Sequence, residues 1–214
     1  MECILCGHKK THKHGKTSKG SQRYYCPNCR QTYTETFDTI YYRRQLEPAK
    51  LRMVLQVHSE RSSLRGVSRT TELAHNTVVS LVRKASVKGQ MVHNEEVQQI
   101  ETEQIAGDEF WSYVQKNKKN SLPEEFRVGD CWIGMTQAIG SGLILAVRVG
   151  KHTDEFIQEL VVNTEGKTDC QQWYTDGWGG YQRVLDDEVS HIVGKEQTQQ
   201  LERTNGIARQ QTGR

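Results

Sequence analysis

Two sets of residues in this chain have the types and spacing to do chemistry. The first is four cysteines, Cys3 and Cys6 in "CILC" and Cys26 and Cys29 in "CPNC", which read C-x2-C-x19-C-x2-C. Each C-x2-C turn sets two thiolates on one side of an ion, and the long loop lets the second pair close a tetrahedron, as structural Zn²⁺ requires. A redox role for either pair calls for a surrounding βαβ pattern, which the sequence lacks. His8, His12 and His14 lie between the pairs. With four thiolates available, they are expected to face solvent or phosphate. The segment has too little apolar content to fold alone, so zinc is expected to hold it together. Cys131 and Cys170 have no partner at ligand spacing and read as small, partly buried residues.

The second set is three carboxylates, Asp108, Asp176 and Glu202. Asp176 sits in "WYTDGWGGY", Trp173 to Tyr181, where an apolar strand gives out into glycines. It is either an ordinary turn residue or a metal ligand at a strand's C-terminal end, with backbone small enough for a phosphate to approach. Two aspartates on adjacent strands and a glutamate from a covering helix form the donor set of a two-metal phosphoryl-transfer site. Mg²⁺ prefers such hard oxygen ligands, and water or a 3′-hydroxyl attacks directly, so no nucleophilic side chain is needed. Glu109 competes with Asp108, but side chains alternate across a strand and only one of the two can face the site. Asp130 reads as a turn residue. Pattern alone leaves open whether the three are a triad or scattered surface acids.

To bring them together, the chain must build a sheet and a covering helix. "QIAGDEFWSYVQ", "GDCWIGMTQAI" and "GLILAVRVG" read as three successive strands in an antiparallel meander. A helix capped by Thr153 follows, and then a strand "QQWYTD". A right-handed crossover places that strand parallel to the first, with Asp108 beside Asp176. A last helix from about Thr198 carries Glu202.

Upstream, 47–88 shows helical spacing, with Leu51, Val54, Leu55 and His58 on one face. A second helix starts at Ser62 or Ser63, and a third is capped by Asn76. Three short helices of this kind fit a helix-turn-helix, with Arg65, Arg69, Asn76, Arg83 and Lys84 as candidate DNA contacts; a plain three-helix packing module is the alternative. The charge supports a polyanion partner. Lys and Arg outnumber Asp and Glu by 17 to 6 through Gly89 and are outnumbered 12 to 20 beyond it. The acidic part argues against electrostatic coating of DNA there. No apolar run approaches the ~18 residues of a membrane span, and "MECILCGHKK" has no signal-peptide core, so no membrane partner is expected. The expected organisation is multidomain α+β: a zinc ribbon over 1–45, a helix-turn-helix over 46–88, a linker over 89–103, and an α/β domain with a mixed sheet over 104–214.

The chain resembles transposases of the insertion-sequence-1 family, a branch of the DDE transposases with an RNase H-like catalytic fold. The resemblance rests on the four-cysteine ribbon with "SQRYYCPNC", the helix-turn-helix, "DEFWSYVQKNKK", "YTDGWGGY" and "HIVGKEQTQQLERTNGIAR". It implies that Asp108, Asp176 and Glu202 are the catalytic triad and hold Mg²⁺ (or Mn²⁺). It also implies that His191, Lys195, Arg203 and Asn205 lie near the DNA strand being cut, although Arg203 and Asn205 have a plainer reading as braces for their helix. The implied activity is metal-dependent DNA cleavage and strand transfer at the element's terminal inverted repeats. The implied partners are double-stranded DNA, both ends and target, and a second copy of the chain in a homodimer or larger assembly. The implied location is the bacterial cytoplasm, at the nucleoid. Family members look longer, with a basic continuation past the glutamate helix, whereas this chain stops at Arg214. A C-terminally truncated catalytic domain is therefore expected, and the rival reading is a catalytically inert DNA-binding regulator of the element.

Overall fold

The structure, a computed structural model, describes residues 2–18, 20–115, 118–120, 128–194 and 197–212. The chain divides into two compact units, 1–90 and 91–214.

The first unit opens with β1 (His12–Lys16), β2 (Gln22–Tyr25) and β3 (Thr32–Thr34), an antiparallel sheet in chain order. Its small core holds Cys3, Cys26 and Tyr33 fully buried, and the Tyr33 hydroxyl donates to the Glu2 carbonyl at 3.0 Å. Three helices follow: α1 (Pro48–Ser59), α2 (Leu64–Thr71) and α3 (His75–Glu96). Proline opens α1, where its missing N–H costs nothing. Ser63 caps α2 by accepting from the Gly66 N–H at 3.1 Å. Leu51, Val54, Val67, Val78 and Leu81 close a core of their own. Glu72 ends α2 at φ 55°, in the left-handed region that lets a helix turn off sharply, and α3 begins three residues later.

Two expectations about α3 need correction. Asn76 does not cap it: the helix starts at His75, the Ala74 carbonyl accepts from Thr77 and Val78, and Asn76 is exposed in the first turn. The segment expected as a linker over 89–103 is helical as far as Glu96. Val97 and Ile100 then pack into the second unit's core. Two isolated apolar residues in a polar stretch give no period for a sequence reading to detect.

The second unit is built on β4 (Ile105–Val114), β5 (Gly129–Ala138), β6 (Ile144–Gly150), β7 (Gln172–Thr175) and β8 (Ser190–Val193), in the order β6-β5-β4-β7-β8. The first three are antiparallel, and β4, β7 and β8 run parallel. The crossover from β6 to β7 is α4 (Asp154–Glu165), capped by Thr153 and carrying Asp154 and Glu155 in its first turn. Phe156, Ile157, Leu160 and Val161 pack α4 onto the sheet. They sit so close that a Cβ on Gly134 or Gly150 would come within 2.9 or 2.8 Å of the Phe156 ring. On the opposite face, α6 (Gln199–Thr212) buries Leu201 against Ala106, Phe110 and Met135. The short helix α5 (Gly179–Val184) and strand β8 have no counterpart in the sequence reading. Asp130 stands at the start of β5, as its position at the opening of the second strand implies, and pairs with Tyr113 in the ladder instead of making a turn.

Lys167 ties His93 and Asn94 to the sheet within this unit. Its ammonium donates to the Leu145 carbonyl (2.7 Å), Asn94 Oδ1 (3.1 Å) and His93 Nδ1 (3.3 Å). Ammonium has no acceptor, so His93 accepts at Nδ1 and donates Nε2–H to the Ile144 carbonyl at 2.8 Å. Lys167→Met, which keeps the aliphatic stem, is expected to lower stability by about 1–3 kcal/mol because buried acceptors lose their donor. Urea unfolding followed by tryptophan emission checks this, since Trp111, Trp132, Trp173 and Trp178 all lie in this unit.

Candidate active site

Alternation along β4 sorts its side chains. Ala106 and Phe110 pack with Leu201 of α6, so Asp108 between them points to the same side. Ile105 joins the α4 core, and a Cβ on Gly107 would lie 3.2 Å from the Tyr181 hydroxyl, so Glu109 points to the opposite side. There Glu109 is buried, its Oε2 accepting from the Tyr181 hydroxyl (3.1 Å) and its Oε1 meeting His152 Nε2 (3.3 Å). Of the two competing acids, Asp108 is the one that meets α6.

The parallel register pairs Gly107 with Thr175, so the next step sets Asp108 beside Asp176 just past the end of β7. The Trp178 backbone N–H donates to Asp176 Oδ1 at 3.0 Å, a local turn that fixes the carboxylate. Glu202 is exposed on the first turn of α6, its N–H bonded to the Thr198 carbonyl. One turn on, Asn205 is buried and its Nδ2 donates to Asp108 Oδ2 at 2.6 Å. Asn205 Oδ1 is buried without a hydrogen-bond partner.

The electrostatics record the same grouping. Burial raises the pKa of Asp108; the Asn205 amide holds it back, while the charges of Asp176 and Glu202 push it further up. Glu109 rises to about 8 through burial and then the charge of Asp176. The charges of Asp176, at the end of β7, and Glu202, on α6, both reach Asp108 on β4.

The remaining sequence candidates are spread differently. His191 on β8 pairs across from Trp173 and contacts Thr175 Oγ1 at 2.7 Å; its ring lies 6.5 Å from that of Tyr181, on the side away from α6. Burial lowers its pKa. Arg203 is exposed on α6, and Lys195 lies outside the described residues. In the first unit Arg65, Arg69 and Arg83 are exposed, and Lys84 lies over the Tyr42 ring at 5.7 Å. The link from Glu109 to Tyr181 and His152 was not anticipated, because its members come from three separate stretches of sequence.

Gly179 and Gly180 do not make the glycine turn their sequence suggests, since they open α5. A Cβ on Gly180 would sit 2.5 Å from the Trp178 ring, so glycine is required there by packing.

Asn205→Ala is expected to cost about 1–3 kcal/mol, as the half-buried Asp108 carboxylate loses the donor buried beside it. The exposed neighbour Arg203→Ala is expected to stay within about 0.5 kcal/mol. Urea midpoints of the metal-free chain, read by tryptophan emission, compare the two.

In the first unit the four cysteine sulfurs all lie within 4.8 Å of one another, the sole such cluster of potential ligands among the described residues. Cys3 to Cys29 is 3.8 Å and Cys6 to Cys26 is 3.7 Å. The His8 backbone N–H is the main cause holding the Cys6 thiol down to about 6, helped by the Asn28 amide. His12 and His14 are exposed on β1, outside the cluster.

No curated protein matches the sequence. Among solved structures, the Mos1 strand transfer complex matches with a TM-score of 0.33 and 12% identity, over 77% of this chain and 65% of that one. The match thus spans less than two thirds of the length of that chain. A family model described as IS1 transposase matches residues 104–214, more than half of the chain and all three of Asp108, Asp176 and Glu202. By that match the chain belongs to the IS1 transposase family, whose domain is of the DDE type.

Proposed function

We propose that the protein is a transposase that binds the terminal inverted repeats of its element through residues 1–88 and cleaves and joins DNA at Asp108, Asp176 and Glu202. The observation that carries this reading is that β4 and β7 run parallel in a register that sets Asp108 beside Asp176, with Asp108 feeling the charges of both Asp176 and Glu202 of α6.

The site fits a hard divalent cation. Its donors are carboxylate oxygens, the charges of Asp176 and Glu202 raise the pKa of Asp108, and Asn205 Oδ1, on the residue whose Nδ2 donates to Asp108, is a buried oxygen with no partner. Asp108, Asp176 and Glu202 would hold Mg²⁺ or Mn²⁺, which when bound supplies charge to a phosphodiester oxygen and acidifies an attacking hydroxyl. Asn205 keeps Asp108 aimed, and the Trp178 N–H keeps Asp176 aimed. The mixed sheet with a parallel pair at its centre suits the RNase H-like class.

In the first unit, a tetrahedron of sulfurs ~2.3 Å from zinc has edges of ~3.8 Å. Both close sulfur pairs match that edge, which supports a Zn²⁺ ribbon over 1–45. Helices α2 and α3 with their three-residue turn support a helix-turn-helix over 46–88 that presents Arg65, Arg69, Asn76, Arg83 and Lys84 to DNA. The catalytic domain is 104–214, and joining two ends requires at least a dimer. Mg²⁺-dependent nicking of a DNA fragment carrying the gene's own flanks, by the chain and by Asp108→Asn, is the test. Cleavage at a defined position by the parent alone supports the proposal, and flank binding without cleavage supports the regulator instead.

A further inference from the structure

His152, in the turn between β6 and α4, lies between two indoles. Trp132 from β5 stacks on one face with ring centroids 4.0 Å apart and planes at 14°. Trp178, two residues beyond Asp176, stacks on the other at 3.7 Å and 19°. The ring is also tied at its edge, with Nε2 3.3 Å from Glu109 Oε1. Glu109 is held in turn by the Tyr181 hydroxyl, and Tyr181 meets Trp178 edge-on at 6.3 Å and 83°.

Two glycines make room for this assembly: Gly180 under the Trp178 ring and Gly107 under Tyr181. Arg183 of α5 grips Asp154 of α4 with two bonds, at 2.8 and 2.6 Å, and so ties together the two helices that flank the stack. A loop residue with exposed neighbours does not ordinarily sit in a three-ring stack. The stack has one visible beneficiary, the Trp178 backbone N–H that donates to Asp176 Oδ1.

We propose that His152 is a positioning residue: as the middle ring of the Trp132–His152–Trp178 stack, it fixes Trp178 and thereby the orientation of the Asp176 carboxylate. The aromatic faces carry the effect. Each stacked pair contributes through dispersion and offset ring contact, while Glu109 sets the rotation of the imidazole. The metal-binding consequence rests on the function proposed above, whereas the clamp itself does not.

The test has a metal-free arm and a metal arm, both on the full chain with its cysteine site zinc-loaded. In the metal-free arm, NMR follows hydrogen exchange of the Trp178 amide. The parent is expected to protect it, His152→Ala to exchange at least about tenfold faster, and His152→Phe, which keeps an aromatic face, to stay within about twofold of the parent. In the other arm, Mn²⁺ titration uses Asp176→Asn to identify binding at this site. His152→Ala is expected to bind about tenfold more weakly, as when the support of a metal ligand is removed, and His152→Phe to bind like the parent. If His152→Ala does not fold, His152→Gln replaces it, since it keeps the bond to Glu109 without an aromatic face.

Unchanged exchange without the aromatic ring overturns the proposal. So does equally fast exchange in His152→Phe, which would assign the effect to the Glu109 bond. Faster exchange with undiminished Mn²⁺ affinity also overturns it, because the clamp would then not orient the carboxylate. Parent Mn²⁺ binding that ignores Asp176→Asn overturns the catalytic reading instead, and leaves the exchange arm to decide whether the stack holds Trp178.

Discussion

Asp176→Asn is expected to reduce Mg²⁺-dependent DNA cleavage by at least about 10²–10³-fold, the scale at which removing one transition-state electrostatic partner acts, while flank binding stays within about twofold. Asparagine keeps the size of the side chain and an oxygen for the Trp178 N–H, so the turn after β7 survives and the charge alone is lost. That charge is also felt by Asp108 and Glu109, where it raises the pKa. The substitution should therefore bring both pKa values down toward the ordinary carboxylate range in the metal-free protein, by NMR titration. Cleavage that survives Asp176→Asn would remove Asp176 from the site. Loss of cleavage and flank binding together would point to a structural role for Asp176. A loss of cleavage with the downward pKa shifts fits a carboxylate cluster and nothing structural.

The sequence made some of this site legible and hid the rest for physical reasons. Strand alternation and a crossover rule were enough to place Asp108 and Asp176 side by side, because β4 and β7 have apolar residues at regular steps and α4 has a clear cap and apolar face. The four cysteines were legible because ligand spacing is a short-range property. The choice between Asp108 and Glu109 needed the identity of what covers each sheet face, which is long-range information: Leu201 and Asn205 on one side, Tyr181 and His152 on the other.

Short elements escaped. β8 has four residues at the sheet edge, and α5 has six and begins with two glycines, a composition that reads as a turn. The glycines after Asp176 serve packing as well as the turn. In "GWGGY" the use of Gly180 is to admit an indole ring, a demand set by Trp178 packing that the dipeptide cannot reveal. Asn205 is expected near the cut strand by resemblance alone, with bracing of its helix as the plainer reading, and its 2.6 Å bond from α6 to Asp108 on β4 gives it a bracing role that also holds the Asp108 carboxylate, whereas Arg203 is exposed.

Removing the metal from the cysteine cluster, by chelation or by Cys26→Ser, is expected to unfold the first 45 residues and leave the rest standing. Among the described residues, the buried apolar core of this module is Cys3, Cys26 and Tyr33, so two of its three members are themselves proposed ligands. Three strands of five, four and three residues cannot be held by Tyr33 with the half-buried Tyr24 and Phe37 beside it. Structural zinc supplies on the order of 10–16 kcal/mol in small zinc modules, far more than such a core contributes. The helices beyond close on Leu51, Val54, Val67, Val78 and Leu81, all of them buried and supplied by α1, α2 and α3, and need no metal. Chelation should thus expose His12–Thr34 to protease while tryptophan emission, confined to the second unit, stays unchanged. Affinity for flanking DNA should fall about tenfold or more, with a shallower salt dependence, because the module's lysines no longer meet phosphates together. Undiminished protease resistance in the chelated chain would show that the sheet stands without its metal. Undiminished DNA affinity in a chain whose sheet has melted would assign binding to α2 and α3 alone, through Arg65, Arg69 and Arg83.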